Sequence, residues 1–110
     1  MSTRSIQELL MYVPPVVSRS GLFYDGHRHG CWESTREDGT VVVRAHFVRG
    51  VRHGSWTRWH TNGVRAVDVT YSAGRLHGDL LAWHPNGRLA LHASFRQGGL
   101  DGFAMGTMAA

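Results

Sequence analysis

Eight histidines in 110 residues are the side chains of this chain most able to do chemistry. His29, His53 and His77 stand 24 residues apart, and so do His60 and His84. Imidazole is the commonest metal ligand and a natural acid or base near neutral pH. Zinc requires its ligands to converge ~2 Å from one point. The spacing works against that. A fixed period in this range marks a stacked array of one small unit. If each unit adds two strands, equivalent histidines lie ~9–10 Å apart, twice the strand spacing. These columns therefore read as surface or turn histidines, with one cross-strand pair, His46 and His53, able to approach if the loop between them is tight. No metal and no cofactor is expected.

The other reactive groups are no better organised. Cys31 is the only cysteine, so no internal disulfide can form. Ser55 and Asp79 take its place in later units, which makes it a small strand residue. Glu33, Glu37, Asp38, Asp68, Asp79 and Asp101 share no column, and no nucleophile sits in a recognisable local motif. No catalytic residue is assigned and no enzyme is expected. The glycine columns read as turns that need positive φ. They do not read as a phosphate loop, which requires a helix N-terminus or a backbone nest.

The elements that position these residues follow from the period. Gly26, Gly50, Gly74 and Gly98 form one column; Gly30, Gly54, Gly78 and Gly102 a second; Gly39, Gly63 and Gly87 a third. Phe23, Phe47, Tyr71 and Phe95 keep the same phase. Asp38-Gly39, Asn62-Gly63 and Asn86-Gly87 predict two-residue type I′ hairpin turns, because both central residues of such a turn need φ > 0. The other glycines mark the return into the next hairpin. The expectation is an all-β antiparallel hairpin meander of six or seven strands. Residues 21–103 form about 3.5 units, between an N-terminal cap at 1–20 and a tail at 104–110. Within the cap, Ser5-x-x-Glu8 is a capping box and Pro14-Pro15 stops any helix, which predicts a short capping helix over 5–12.

Period-2 alternation assigns the faces. Val41, Val43, Ala45 and Phe47, with Val67, Val69 and Tyr71 and with Leu89, Leu91, Ala93 and Phe95, make the buried face. Trp32, Trp56 and Leu80 join it. In the second hairpin Trp56 falls opposite Val69, Gly54 opposite Tyr71 and Trp59 opposite Ala66. Trp59 and Trp83 then lie on the other face, beside Thr57, Asp68, Leu81 and Ala66. A bulge at the turn would exchange these assignments. Aromatics on an open strand face are typical binding anchors. Arg36, Arg58 and Arg65, near the Asn-Gly turns, would form a basic rim for an acidic partner.

The net charge is +4 and all twelve basic residues are arginine. A basic balance can signal nucleic acid or an anionic membrane surface. Here the arginines are spread through the units among carboxylates, which favours a soluble surface and the habit of a GC-rich, bacterial genome. No apolar run approaches the ~18 residues of a membrane span. Residues 1–20 lack the pattern of a secretory signal, so a cytoplasmic location is expected.

Gly50-Val-Arg-His-Gly54-Ser-Trp56-Thr-Arg-Trp59-His-Thr-Asn62-Gly63 resembles the MORN-type repeat in its bacterial variant form, and so does Gly74 to Gly87. The unit from Gly26 to Gly39 fits less well, with Thr35 in place of the second aromatic and Asp38 in place of Asn. A fourth unit stops after Gly102-Phe103. The resemblance implies a MORN-like meander. Bacterial proteins of this variant are often labelled YwqK-like antitoxins, which implies a protein partner such as a toxin; by the register above, Trp59 and Trp83 would meet it. Eukaryotic MORN proteins are scaffolds linked to membranes, which gives the alternative of a membrane- or nucleic-acid-associated scaffold working through arginine. A homo-oligomer through the last strand, near Phe95 to Phe103, is compatible with either.

Overall fold

The computed structural model describes residues 18–104, with side chains from 18 to 99. The helix expected at 5–12 and the tail from 105 lie outside the described residues. Eight strands follow one another in a single antiparallel sheet, in chain order from edge to edge. They are β1 (Ser18–Tyr24), β2 (His27–Thr35), β3 (Val41–Val48), β4 (Val51–Trp59), β5 (Arg65–Ser72), β6 (Arg75–Trp83), β7 (Leu89–Arg96) and β8 (Gly99–Ala104). Pairing begins at Ser18, inside the stretch assigned to the cap.

The two kinds of turn are the reverse of the expectation. Asp25-Gly26, Arg49-Gly50, Ala73-Gly74 and Gln97-Gly98 have positive φ at both residues, with values of 50–52° at the first and 79–89° at the second. Val48 pairs with Val51 and Ser72 with Arg75 across these loops. These are the type I′ turns. At the Asn-Gly sites only the glycine is left-handed (Gly63, φ 88°). Gly63 N donates to His60 O at 3.0 Å and His60 N to Val64 O at 2.8 Å, which closes a longer loop. Asn62 was selected for a different reason. Its Oδ1 accepts from Val64 N at 3.0 Å, and Asn86 Oδ1 does the same for Arg88 N at 2.9 Å. A side chain that bonds its own backbone two residues on fixes a turn without needing φ > 0.

The register holds in the middle of each hairpin. Gly54 pairs with Tyr71 and Trp56 with Val69. It slips beside Trp59, which lies opposite Arg65 instead of Ala66. The same slip occurs at Thr35 and at Trp83. Each slip leaves one extra residue on the return strand: Val42, Ala66 or Ala90. All three are buried, at 0%, 2% and 6% exposure, next to a neighbour that also faces the core. A bulge of this kind bends the strand and re-aims a side chain. It explains why Ala66 is buried against expectation, why Val41 is only half-buried, and why Leu89 is exposed.

The core lies on the expected face. Ala45, Phe47, Trp56, Val67, Val69, Tyr71, Leu80, Leu91, Ala93 and Phe95 form one buried cluster. Full burial of a side chain such as Leu80 contributes about 1.5–3 kcal/mol. Arginine completes the cluster at its I′ end. The Arg28 guanidinium lies 4.3 Å from the Phe47 ring centroid and that of Arg52 lies 5.4 Å from Tyr71. Arg52 also donates to the Tyr71 hydroxyl at 3.2 Å. The fourth unit loses phase. Ala93 pairs with Phe103, where the pairings Ala45–Trp56 and Val69–Leu80 would place Ala104. Register is weakly specified in a Gly-rich strand, and β8 carries Gly99 and Gly102.

Candidate functional site

The histidine column does structural chemistry. Arg49 N donates to His29 Nδ1 at 3.1 Å, Ala73 N to His53 Nδ1 at 3.0 Å and Gln97 N to His77 Nδ1 at 3.3 Å. The next amide of each turn donates to a backbone carbonyl of the same preceding unit: Gly50 to Arg28, Gly74 to Arg52 and Gly98 to Leu76, at 2.7–2.8 Å. Both amides of these three I′ turns are thus tied to the unit before. In each of these bonds the ring nitrogen Nδ1 is the acceptor. His46 differs, because its Nδ1 lies 3.0 Å from Ser55 O and must donate. Spacing revealed the column. The acceptor role depends on how successive turns stack, which spacing does not reveal. Among the described residues no group of three or more His, Cys, Asp or Glu is placed to hold a metal ion.

At the Asn-Gly end the links run forward. His60 Nε2 donates to Trp83 O at 2.7 Å and Asn62 Nδ2 to Pro85 O at 2.8 Å. Arg36 and Asp38 occupy these two positions in the first unit, and a carboxylate has no hydrogen to donate. Asp38 instead accepts from the hydroxyl and, at 2.9 Å, the amide of Thr40. The Thr40 hydroxyl, then its amide, hold the Asp38 carboxyl below the usual carboxylate range, assisted by the charge of Arg36.

Trp59 ends β4 and is half-buried. The Arg44 guanidinium lies 5.3 Å from its ring centroid. Arg44 Nε in turn donates to Glu33 Oε2 at 2.7 Å. Arg44 and Glu33 are cross-strand partners, and Arg44 pairs on its other side with Thr57. Trp59 therefore sits on the face opposite Trp56, beside Arg44, Thr57 and Asp68. Thr57 Oγ1 donates to Asp68 Oδ1 at 3.3 Å, and Asp68 Oδ2 accepts from Arg65 at 3.1 Å. Trp83 occupies the equivalent end of β6, half-buried and opposite Leu89. Further along this face Asp79 accepts from Ser94 Oγ at 2.9 Å and lies 3.3 Å from His92 Nε2. The Ser94 hydroxyl, then His92, hold the Asp79 carboxyl low.

The three arginines proposed from sequence are not equivalent. Arg65 is exposed and paired with Asp68, and Arg36 is half-buried, its amide donating to Thr40 O at 2.9 Å. Arg58 is only 8% exposed and belongs to no rim. It shares the strand parity of Trp56, which puts it between Val43 and Val67 on the buried face. It contributes instead to a cleft of about 220 Å³ at the Asn-Gly end, lined also by His60, Ala66, Ala82, His84 and Ala90. Sequence reasoning missed this cleft, although the small residues that open it were visible: Ala66 and Ala90 stand where the first unit has Val42.

No helix among the described residues is long and apolar enough to cross a membrane. Comparison with known proteins finds no family model that matches the chain, and no curated protein matches it either.

Proposed function

We propose that this chain is a non-enzymatic protein-binding module of the MORN-variant kind, an antitoxin- or immunity-type partner of another protein. The observation that carries the reading is the setting of Trp59. Its ring stands on the face opposite the core, with the Arg44 guanidinium over it and Glu33 holding Arg44. An aromatic and an arginine held in place before contact lose little entropy on binding, and these two residue types dominate interface energetics. Trp83, one unit on, extends the same surface. The arginines bear on the scaffold alternative. Arg28 and Arg52 lie over rings, and Arg44 and Arg65 are paired with carboxylates. That leaves fewer of them aimed outward at phosphate.

The test is capture of a partner from the native host by the wild type and by a Trp59→Ala plus Trp83→Ala variant shown by circular dichroism to be folded. The reading expects a specific partner retained by the wild type and lost by the variant. Binding to liposomes or oligonucleotides that falls steeply between low and moderate salt would favour the scaffold alternative.

A further inference from the structure

The cleft between the second and third Asn-Gly loops has features that the aromatic face does not explain. It is lined by one guanidinium (Arg58), two imidazoles (His60 and His84) and three alanines (Ala66, Ala82 and Ala90), with Trp83 and Pro85 completing the wall. No carboxylate is among its lining residues. The room comes from the bulge. At the first bulge Val42 is fully buried, whereas the second and third carry alanine at the same point. The His60 ring is held in place by its bond to Trp83 O.

We infer that this cleft takes a carboxylate carried on a short aliphatic stem, such as a glutamate side chain or a chain terminus of a protein partner. The planar fork of a guanidinium matches a carboxylate's two oxygens, and its five donors allow Arg58 to serve this group beside its own contacts. The alanines supply apolar walls for the methylenes of the stem. A volume of about 220 Å³ admits such a group. This deepens the reading above, because it names a group that the bound protein would insert. It is tested without the partner, so either can fail alone.

The experiment follows the imidazole resonances of the isolated protein by NMR while sodium butyrate is added against sodium chloride at equal ionic strength. Saturable shifts are expected at His60 and His84, in the millimolar range, with His29, His53 and His77 unaffected. Filling the cleft with Ala66→Val plus Ala90→Val copies what the first unit already carries, so the fold has a precedent for it. That variant is expected to bind butyrate at least tenfold more weakly, as is Arg58→Gln. Shifts that do not saturate, or that match those in chloride, overturn the proposal. So does undiminished binding by the valine variant. A response to inorganic phosphate as strong as that to butyrate overturns the carboxylate assignment.

Discussion

At one end of the hairpins, Arg49-Gly50, Ala73-Gly74 and Gln97-Gly98 give both turn amides to the unit before, through an imidazole and a carbonyl. At the other end, side chains of the loop reach to the unit after, from His60 to Trp83 O and from Asn62 to Pro85 O. The first pattern recurs at every junction between the described I′ turns. The second requires a donor at two positions, and Asp38 leaves the first unit without one of them. A backbone-to-backbone link survives sequence change at either residue, whereas a side-chain link does not. The I′ end therefore sets the pitch of the array. The Asn-Gly end is free to vary, and that is where Trp59, Trp83 and the Arg58 cleft lie.

The contrast can be broken most severely at a turn glycine. Gly74→Ala places an L-residue at φ 85° and its Cβ 3.2 Å from Val51 Cγ1. The left-handed conformation alone costs about 1–2 kcal/mol. Gly63→Ala has nearly the same φ and nothing within 4 Å of the new atom. Denaturant titration should show both variants destabilised and Gly74→Ala the worse of the two. Equal losses would mean that the I′ end is no more tightly held.

The histidine link comes next. His53→Leu removes the acceptor for Ala73 N, a loss of about 1 kcal/mol for one hydrogen bond. His53→Asn offers Oδ1 near the position of Nδ1 and should recover most of that stability. If Leu and Asn behave alike, the imidazole is not working as an acceptor. The smallest effect is expected at Asp38→Asn, which gives the first unit the amide donor of Asn62. Its thermal midpoint should rise slightly, by less than His53→Leu lowers it.

The same variant carries a pH test. Because the folded state holds the Asp38 carboxyl below its unfolded value, its contribution is fully present above the ordinary carboxylate range. That contribution is lost as pH falls through the lowered folded value. Stability measured from neutral pH down into the acid range should therefore fall less in Asp38→Asn than in the wild type.

Much of the fold was legible because one physical rule governs it. Alternation with period 2 placed Trp56, Val69 and Leu80 on the core face, and glycine spacing placed the loops. The errors arose where two rules favour the same residue. Asn before Gly suits a left-handed turn and equally a side chain that closes on its own backbone, and the second prevailed at Asn62 and Asn86. The bulges at Ala66 and Ala90 leave no mark in the hydrophobic pattern, since alanine is common on either face. Arg58 could have been placed correctly, because it is two residues from Trp56. Its charge suggested a rim, and its parity put it on the buried face.

The most direct measurement compares three forms of the protein as bait in the native host's lysate: the wild type, His53→Asn, and Trp59→Ala with Trp83→Ala. Circular dichroism must show all three folded. The account predicts one partner retained by the wild type and by His53→Asn, and lost from the double tryptophan variant. A partner retained by the folded tryptophan variant would contradict it.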